Sequence, residues 1–316
     1  MKKSLALGLV LSAAMFHGAL AQDYPTRDID LVVPFAPGGA VDVTSRLIAE
    51  AANRNMEGHK IVVSNRDGGG GIVGQAFVAS ADADGYTVLA MTSSVVTNPQ
   101  LKGAPYKVSD FTPVAAYNID PEVIVVPAQS PFKTVADLVA AAKEKPLNVV
   151  VAGIGTSHHM AGLGLESALG VKFNYIPAKG FGEQLQAIAG QHADLSFWAM
   201  GEAMSHAKSG TVRILAVASD ARDPNFPDAP TFEEANLGMS IWATFRGWAV
   251  PAGTPDSVVA YLSDLMQKVA NDAEYQQKMK DGGYDAIYRN AADFKKIMAS
   301  YSTQASAIIE EHKLGK

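Results

Sequence analysis

Short apolar runs ended by glycine, proline or polar clusters recur along the chain: IDLVVPF, KIVVSN, YTVLAMTSS, EVIVVPA, LNVVVAGIG, ADLSFWAM and VRILAVAS. Runs of this length bounded by turn residues read as strands buried on both faces. Between them, apolar residues return at helical spacing over residues 43–52, 135–143, 158–169 and 183–189. Such a stripe belongs to a helix that covers a sheet. Alternating strands and helices predict an α/β fold with a parallel sheet and helices on both faces. Ligands of such sheets bind beyond the carboxyl ends of the strands, where helix starts point. From Pro255 onward the pattern changes to helical stretches, with Pro255 at a start and Gly282-Gly283 as a stop. These are packing elements. No linker, repeat or low-complexity stretch interrupts the interior, so two lobes bridged by continuous strands are expected. The crossings would fall in EVIVVPA (residues 122–128) and RGWAVPAG (residues 246–253). Lobe 1 would comprise residues 22–123 plus 250–316, and lobe 2 residues 124–249.

The opening segment departs from this pattern. MKKSLALGLVLSAAMFHGALAQ carries Lys2 and Lys3, then a short apolar stretch, then Ala19-Leu20-Ala21, the layout of a secretory signal cleaved after Ala21. With 316 residues, of which 48% are hydrophobic, the chain has ample material for a large core. It has no cysteine, so neither a disulfide nor a cysteine-linked lipid anchor is available, and a freely diffusing periplasmic monomer is expected. Removing Lys2 and Lys3 leaves 24 basic residues against 32 acidic ones, a net charge near −8. With no Lys/Arg cluster either, nucleic acid is not expected as a partner.

Two glycine loops stand where strands give way to helices. One is PFAPGG, with Phe35, Ala36, Gly38 and Gly39 followed by Asp42; the other is NRDGGGGIVG, with Asn65, Gly70 and Gly71. A helix start leaves backbone N–H groups unpaired and carries partial positive charge, so a glycine-rich approach suits a phosphate or carboxylate. Either loop alone reads as a turn. Their pairing with Asp42, Asn65 and Thr92-Ser93-Ser94 is what suggests an anion site. The spacing Gly69, Gly71, Gly74 matches a dinucleotide fingerprint formally, but the acid it requires after the next strand is missing and no Walker lysine follows. The pair His158-His159 lacks an i, i+4 partner, because that position is Gly162, so no metal is expected. No cofactor is expected either. There is no G-x-S-x-G elbow, which leaves an exported hydrolase without its nucleophile.

The stretches YPTRDIDLVVPFAPGGAVDVTSRLIA, NRDGGGGIVG, DADGYTVLAMTSS, GIGTSHHMAG, DAPTFEEA and VPAGTP, in this order, resemble the Bug family. These are the extracytoplasmic solute-binding proteins of tripartite tricarboxylate transporters. The resemblance implies a type II periplasmic-binding-protein fold, two α/β lobes closing on a carboxylated solute, and delivery to a two-component membrane permease. It implies no enzymatic activity. It also implies that the loops over residues 35–42 and 65–74 clamp one carboxylate through backbone amides and bound waters. Thr156, Ser157 and His158 would then face the solute's other end.

The chain departs from that family at telling places. DLSFWAM puts Trp198 where relatives commonly carry an aspartate, and TFRG puts Arg246 where they carry a tyrosine. Both changes make the pocket less negative, which disfavours an amino-acid ligand and favours a di- or tricarboxylate whose second carboxylate Arg246 would receive. For Trp198, core packing is as good a reading as pocket duty. Ala178 replaces a common tyrosine, and Lys179 beside it reads as a solvated surface residue. A sensor subunit presenting ligand to a membrane receptor would share all of these features.

Overall fold

The computed structural model describes residues 24–239 and 242–315. The expected signal segment and its cleavage site lie outside the described residues. The first lobe opens with β1 (Ile29–Val33), α1 (Ala40–Arg54), β2 (Ile61–Asn65), α2 (Ile72–Ala79), β3 (Thr87–Thr92) and α3 (Ser94–Lys102). A long strand, β4 (Phe111–Pro127), leads into the second lobe. There follow α4 (Val135–Glu144), β5 (Leu147–Val151), α5 (Ser157–Leu169), β6 (Phe173–Pro177), α6 (Phe181–Ala189), β7 (Leu195–Ala199), α7 (Met200–Lys208) and β8 (Val212–Val217). The chain returns through β9 (Ala243–Pro251) and ends in α8 (Asp256–Ala270), α9 (Ala273–Asp281), β10 (Arg289–Asn290) and α10 (Ala291–Glu311).

The strands lie in the order β2-β1-β3-β9-β4-β7-β5-β6, with β8 and β10 both pairing β4. Each lobe repeats one scheme. In the first, β1 pairs in parallel with β2 and β3; in the second, β5 pairs in parallel with β6 and β7. The expected parallel sheet is thus present in both lobes. Antiparallel strands join them: β9 lies beside β3, and β4 lies beside β9 along one half and beside β7 and β8 along the other. Helices α1, α2, α3, α5, α6 and α7 each begin just after the carboxyl end of a strand, so their starts gather toward the space between the lobes.

The crossings differ from the sequence reading in two respects. EVIVVPA is only the second half of β4, a strand of 17 residues that already begins at Phe111. Pro113 and Pro121 lie inside it, and its pairing with β9 shifts register between Pro113 and Ala115. Two prolines in one stretch read as breakers, which hid the strand's length. RGWAVPAG, the other expected crossing, belongs to β9, which pairs along its whole length within the first lobe's sheet. The second passage between lobes therefore precedes Ala243.

The core follows from the apolar runs. Val32, Leu89 and Met91 of the first lobe and Val149, Leu195 and Phe197 of the second are fully buried. Helix α10 packs against α3, β4 and α5 and so spans both lobes. Its Phe294 lies edge-on to Phe245 of β9, with ring centroids 5.4 Å apart. Gly247 of β9 makes this fit possible. A Cβ there would meet Phe294 Cε1 at 2.4 Å and the Ala115 carbonyl oxygen at 2.6 Å. Because the second obstacle is backbone, Gly247→Ala should cost about 1–3 kcal/mol by overpacking. A melting curve should show a drop of several degrees; an unchanged Tm would mean that α10 yields freely.

Candidate functional site

A cleft opens where the helix starts converge, enclosing about 510 Å³ of atom-free space, part of it continuous with solvent. Of the residues singled out in the sequence, Phe35, Ala36, Gly39, Thr92, Ser93, Ser94, Thr156, Ser157, His158 and Arg246 line it. Ala40, Val41, Ala152, Phe181, Glu202 and Thr244 line it as well.

Backbone donors are the cleft's chief resource. Three helices that begin there, α1 after Gly39, α3 after Ser93 and α5 after Thr156, have no cap from the side chain of their N-cap residue, and at the start of α1 Ala40 N makes only a long contact, 3.4 Å, with Glu202 Oε1. Three helices elsewhere, α4, α9 and α10, are capped by Thr134, Asp272 and Asn290. Thr156, the N-cap residue of α5, donates its hydroxyl away from the helix, to Gly153 O at 2.8 Å. Ser93 pairs with Thr244 at 3.1 Å. The N-cap side chains thus leave the first-turn N–H groups of these helices for other acceptors, a ligand's oxygens among them.

Asp42, Asn65, Gly38, Gly70, Gly71 and Trp198 do not line the cleft. Asp42 holds the first glycine loop from beneath: its carboxylate accepts from Gly38 N at 2.9 Å and from Asn65 Nδ2 at 2.9 Å, and Arg46 closes the set at 2.8 Å. Burial opposes ionisation of Asp42, but these hydrogen bonds outweigh it and hold the carboxyl below its usual range. Asn65 also donates to Phe35 O at 3.0 Å, so one side chain ties the end of β2 to the first loop. Gly71 packs behind the lining, where a Cβ would crowd the Phe35 ring and Ser94 Oγ, each at 3.2 Å. Gly70 meets the opposite lobe, since a Cβ on it would lie 2.8 Å from Ile154 O. Trp198 is fully buried, with its ring edge-on to Phe181 at 5.1 Å between centroids. Lys179 is an exposed side chain loosely paired with Glu183 at 3.9 Å.

The floor of the cleft is more acidic than the sequence suggested. Arg246 is 2% exposed, and its Nη1 is bound to Asp120 at 2.9 Å and, more closely, to Asn118. Asp120 also accepts from Gly201 N at 3.1 Å. His158 stands with Nε2 3.2 Å from Glu202 and 3.9 Å from Glu122. Its other nitrogen faces Gln184 Oε1 at 3.1 Å. The orientation of that amide follows from Gln184 Nε2, which is directed at Val150 O, Ser196 Oγ and Phe197 O. Nδ1 must therefore donate, and with two carboxylates at Nε2 the ring is an imidazolium. Burial alone disfavours that cation, but Glu122 and Glu202 outweigh it and push the pKa up to about 9. Glu122, fully buried, is pushed up to about 7 by burial, against the pull of His158. None of these acids had a local sequence signal. The three carboxylates meet His158 and Arg246 only through the fold.

The profile of the tripartite tricarboxylate transporter family receptor matches residues 44–314. The chain belongs to that family. BugT of Bordetella pertussis is 30% identical to the receptor over 81% of each chain. The solved periplasmic binding protein BugD is 30% identical with a TM-score of 0.87, covering 93% of the receptor and 100% of BugD. MatC of Rhodopseudomonas palustris, solved with bound malate, is 26% identical with a TM-score of 0.84, covering 90% of the receptor and 100% of MatC. The receptor is thus a solute-binding protein of the periplasmic type, its two lobes built as the resemblance implied. No helix among the described residues is long and apolar enough to cross a membrane.

Two outcomes follow from the geometry. Asp42→Ala removes the acceptor for Gly38 N and Asn65, which should cost about 1.5–3 kcal/mol of stability. Affinity should fall about tenfold beyond what the fraction unfolded explains; calorimetry beside denaturant unfolding separates the two, and unchanged affinity would reduce Asp42 to a support for its own helix. The second concerns pH. A histidine raised from its ordinary 6.5 to about 9 gives stability that is complete below about pH 6.5 and lost as the pH rises through about 9. Glu122, which favours its protonated form, acts in the same sense at lower pH. The Tm should fall across that window, and His158→Gln should flatten its upper part.

Proposed function

We propose that the receptor captures a small organic di- or tricarboxylate in the periplasm and hands it to a two-component membrane permease of the tripartite tricarboxylate type. The observation that carries this reading is the convergence of uncapped starts of α1, α3 and α5 on one cleft lined by Ser, Thr and His hydroxyl and imidazole groups. Each start offers several N–H donors and partial positive charge to a carboxylate. The bound malate of MatC, a relative of the same architecture, supports the same ligand class. In this reading Phe35, Ala36 and Gly39 hold one carboxylate, with Gly38, Asp42 and Asn65 fixing the loop. Thr92, Ser93, Ser94, Thr156, Ser157 and His158 surround the rest of the solute. Gly70 and Gly71 shape the closing edge, and Trp198 backs Phe181.

Mechanism here is closure. A solute that touches both lobes stabilises the closed form by contacts the open form lacks, and the permease would read that form. Arg246 takes part as half of a pair with Asp120, so it supplies a field and a surface more than a free cation.

Native mass spectrometry of freshly purified protein should reveal a co-purified acid. A thermal-shift screen of dicarboxylates should contain a hit, since ligand at a hundred times its Kd adds about 2.7 kcal/mol, several degrees for a chain of this size. Stabilisation by nucleotides or sugars with none by carboxylates would sink this assignment.

A further inference from the structure

Five ionisable side chains meet at the floor of the cleft, and their charges balance only when Glu122 holds a proton. Asp120, Glu122 and Glu202 face only two cations, Arg246 and His158. A ligand carboxylate arriving beside Glu202 is then surplus negative charge, costly in a water-poor site unless a further proton joins the set. Glu202 is the one acid among the residues that line the cleft. It is 8% exposed; burial opposes its ionisation, but His158 at 3.2 Å outweighs this and holds it ionised, and its two oxygens otherwise receive only long backbone contacts, Ala40 N on one and Ala199 N on the other, both at 3.4 Å. Acceptor capacity therefore remains on it. Arg246, which also lines the cleft, keeps its Nε without a partner among the described residues, yet its charge is already matched by Asp120 at 2.9 Å. The other titratable groups that feel Glu202 bring no free cation. His206, on the same helix, is held toward its neutral form by burial, and burial keeps the Tyr284 phenol protonated.

We infer that Glu202 decides which solute the cleft accepts: the end that reaches it must bring a hydrogen to donate, so a dicarboxylate is held in its singly protonated form. One carboxylate lies ionised at the helix starts, and the other carboxyl shares its proton with Glu202. This rests on the carboxylate reading of the cleft and narrows it. Two ionised carboxylates at hydrogen-bond distance repel, so one of them takes up a proton. The shared proton then turns repulsion into a short, charge-assisted hydrogen bond. A solute whose far end is a hydroxyl, amide or ammonium already carries its hydrogen and enters without one.

The test is calorimetry on the full-length mature receptor with the best-binding member of a series from malonate to adipate and with the half-amide of that same acid. Runs in phosphate and in Tris, whose ionisation enthalpies differ, count protons. At about pH 8 the diacid should take up about one proton per molecule bound, and its affinity should fall about tenfold per pH unit above the ligand's upper pKa. The half-amide should bind with no uptake and a flatter profile. In Glu202→Gln the amide itself donates the hydrogen, so uptake should vanish and the diacid's affinity should stop falling with pH. Diacid binding without proton uptake overturns the inference while leaving the carboxylate reading intact. Uptake that persists unchanged in Glu202→Gln also overturns it, because the proton would then reside on Glu122. If no member of the series and no half-amide binds, both readings fall. Glu202 also helps close the first turn of α7, so the variant's Tm is measured alongside; should the variant not fold, the two ligands on the natural protein still decide the matter.

Discussion

A carboxylate taken out of water must recover its hydration from fixed dipoles and opposite charge, and both the ligand site and the junction between the lobes answer to that requirement. The helix starts supply the dipoles. The opposite charge sits on the strands that join the lobes: Arg246 of β9 stands in register with Asn118 of β4 on one side and Thr92 of β3 on the other. Asp120 and Glu122 follow on β4 just where it changes partners from β9 to β7. The residues that tune the site are thus also those at the mechanical centre of the molecule. Removing one side of the Arg246–Asp120 pair would strand its partner in the interior, and ligand and fold would suffer together.

The first glycine loop shows how a local rule can serve a distant purpose. Asp42 sits four residues after Gly38 and accepts its N–H, a bond that the helical repeat makes available at once. The same carboxylate reaches Asn65 at the end of β2. Two loops separate in sequence are therefore held at one height, so the donors of α1 are aimed before any solute arrives. Preorganisation of this kind lowers the cost of ordering the site on binding.

What the sequence revealed and what it concealed divide along the range of the interactions. Alternating strands and helices, both glycine loops and the starts of α1 and α5 were legible because each depends on near neighbours. The length of β4 was not, since Pro113 and Pro121 read locally as stops while the pairing that tolerates them comes from β9. The charge of the cleft was misjudged for the same reason. Trp198 and Arg246 suggested a site stripped of acid, yet Glu202, four residues beyond Trp198, turns into the cleft once α7 forms. Trp198 itself lies on the face of β7 that packs with Val123, Val150 and Met200. Burial of a charge is a property of what surrounds it, and surroundings are assembled from distant parts of the chain.

The second glycine loop carries a consequence for timing. Gly70 approaches the other lobe backbone to backbone: a Cβ added to Gly153 would lie 3.2 Å from the Gly70 Cα. Between Gly70 and Gly153 no side chain has to find a rotamer, while beside them Thr97 of α3 donates its hydroxyl to Gly155 O across the lobes. At this point the lobes are tied by little more than that one bond. The lifetime of the closed complex is then governed chiefly by the solute's own bonds to the two lobes, since differences in affinity reside mostly in dissociation rates. A carrier built this way releases weakly bridging cargo quickly and retains well-matched cargo long enough to travel, so selectivity is expressed as residence time as much as in the first encounter.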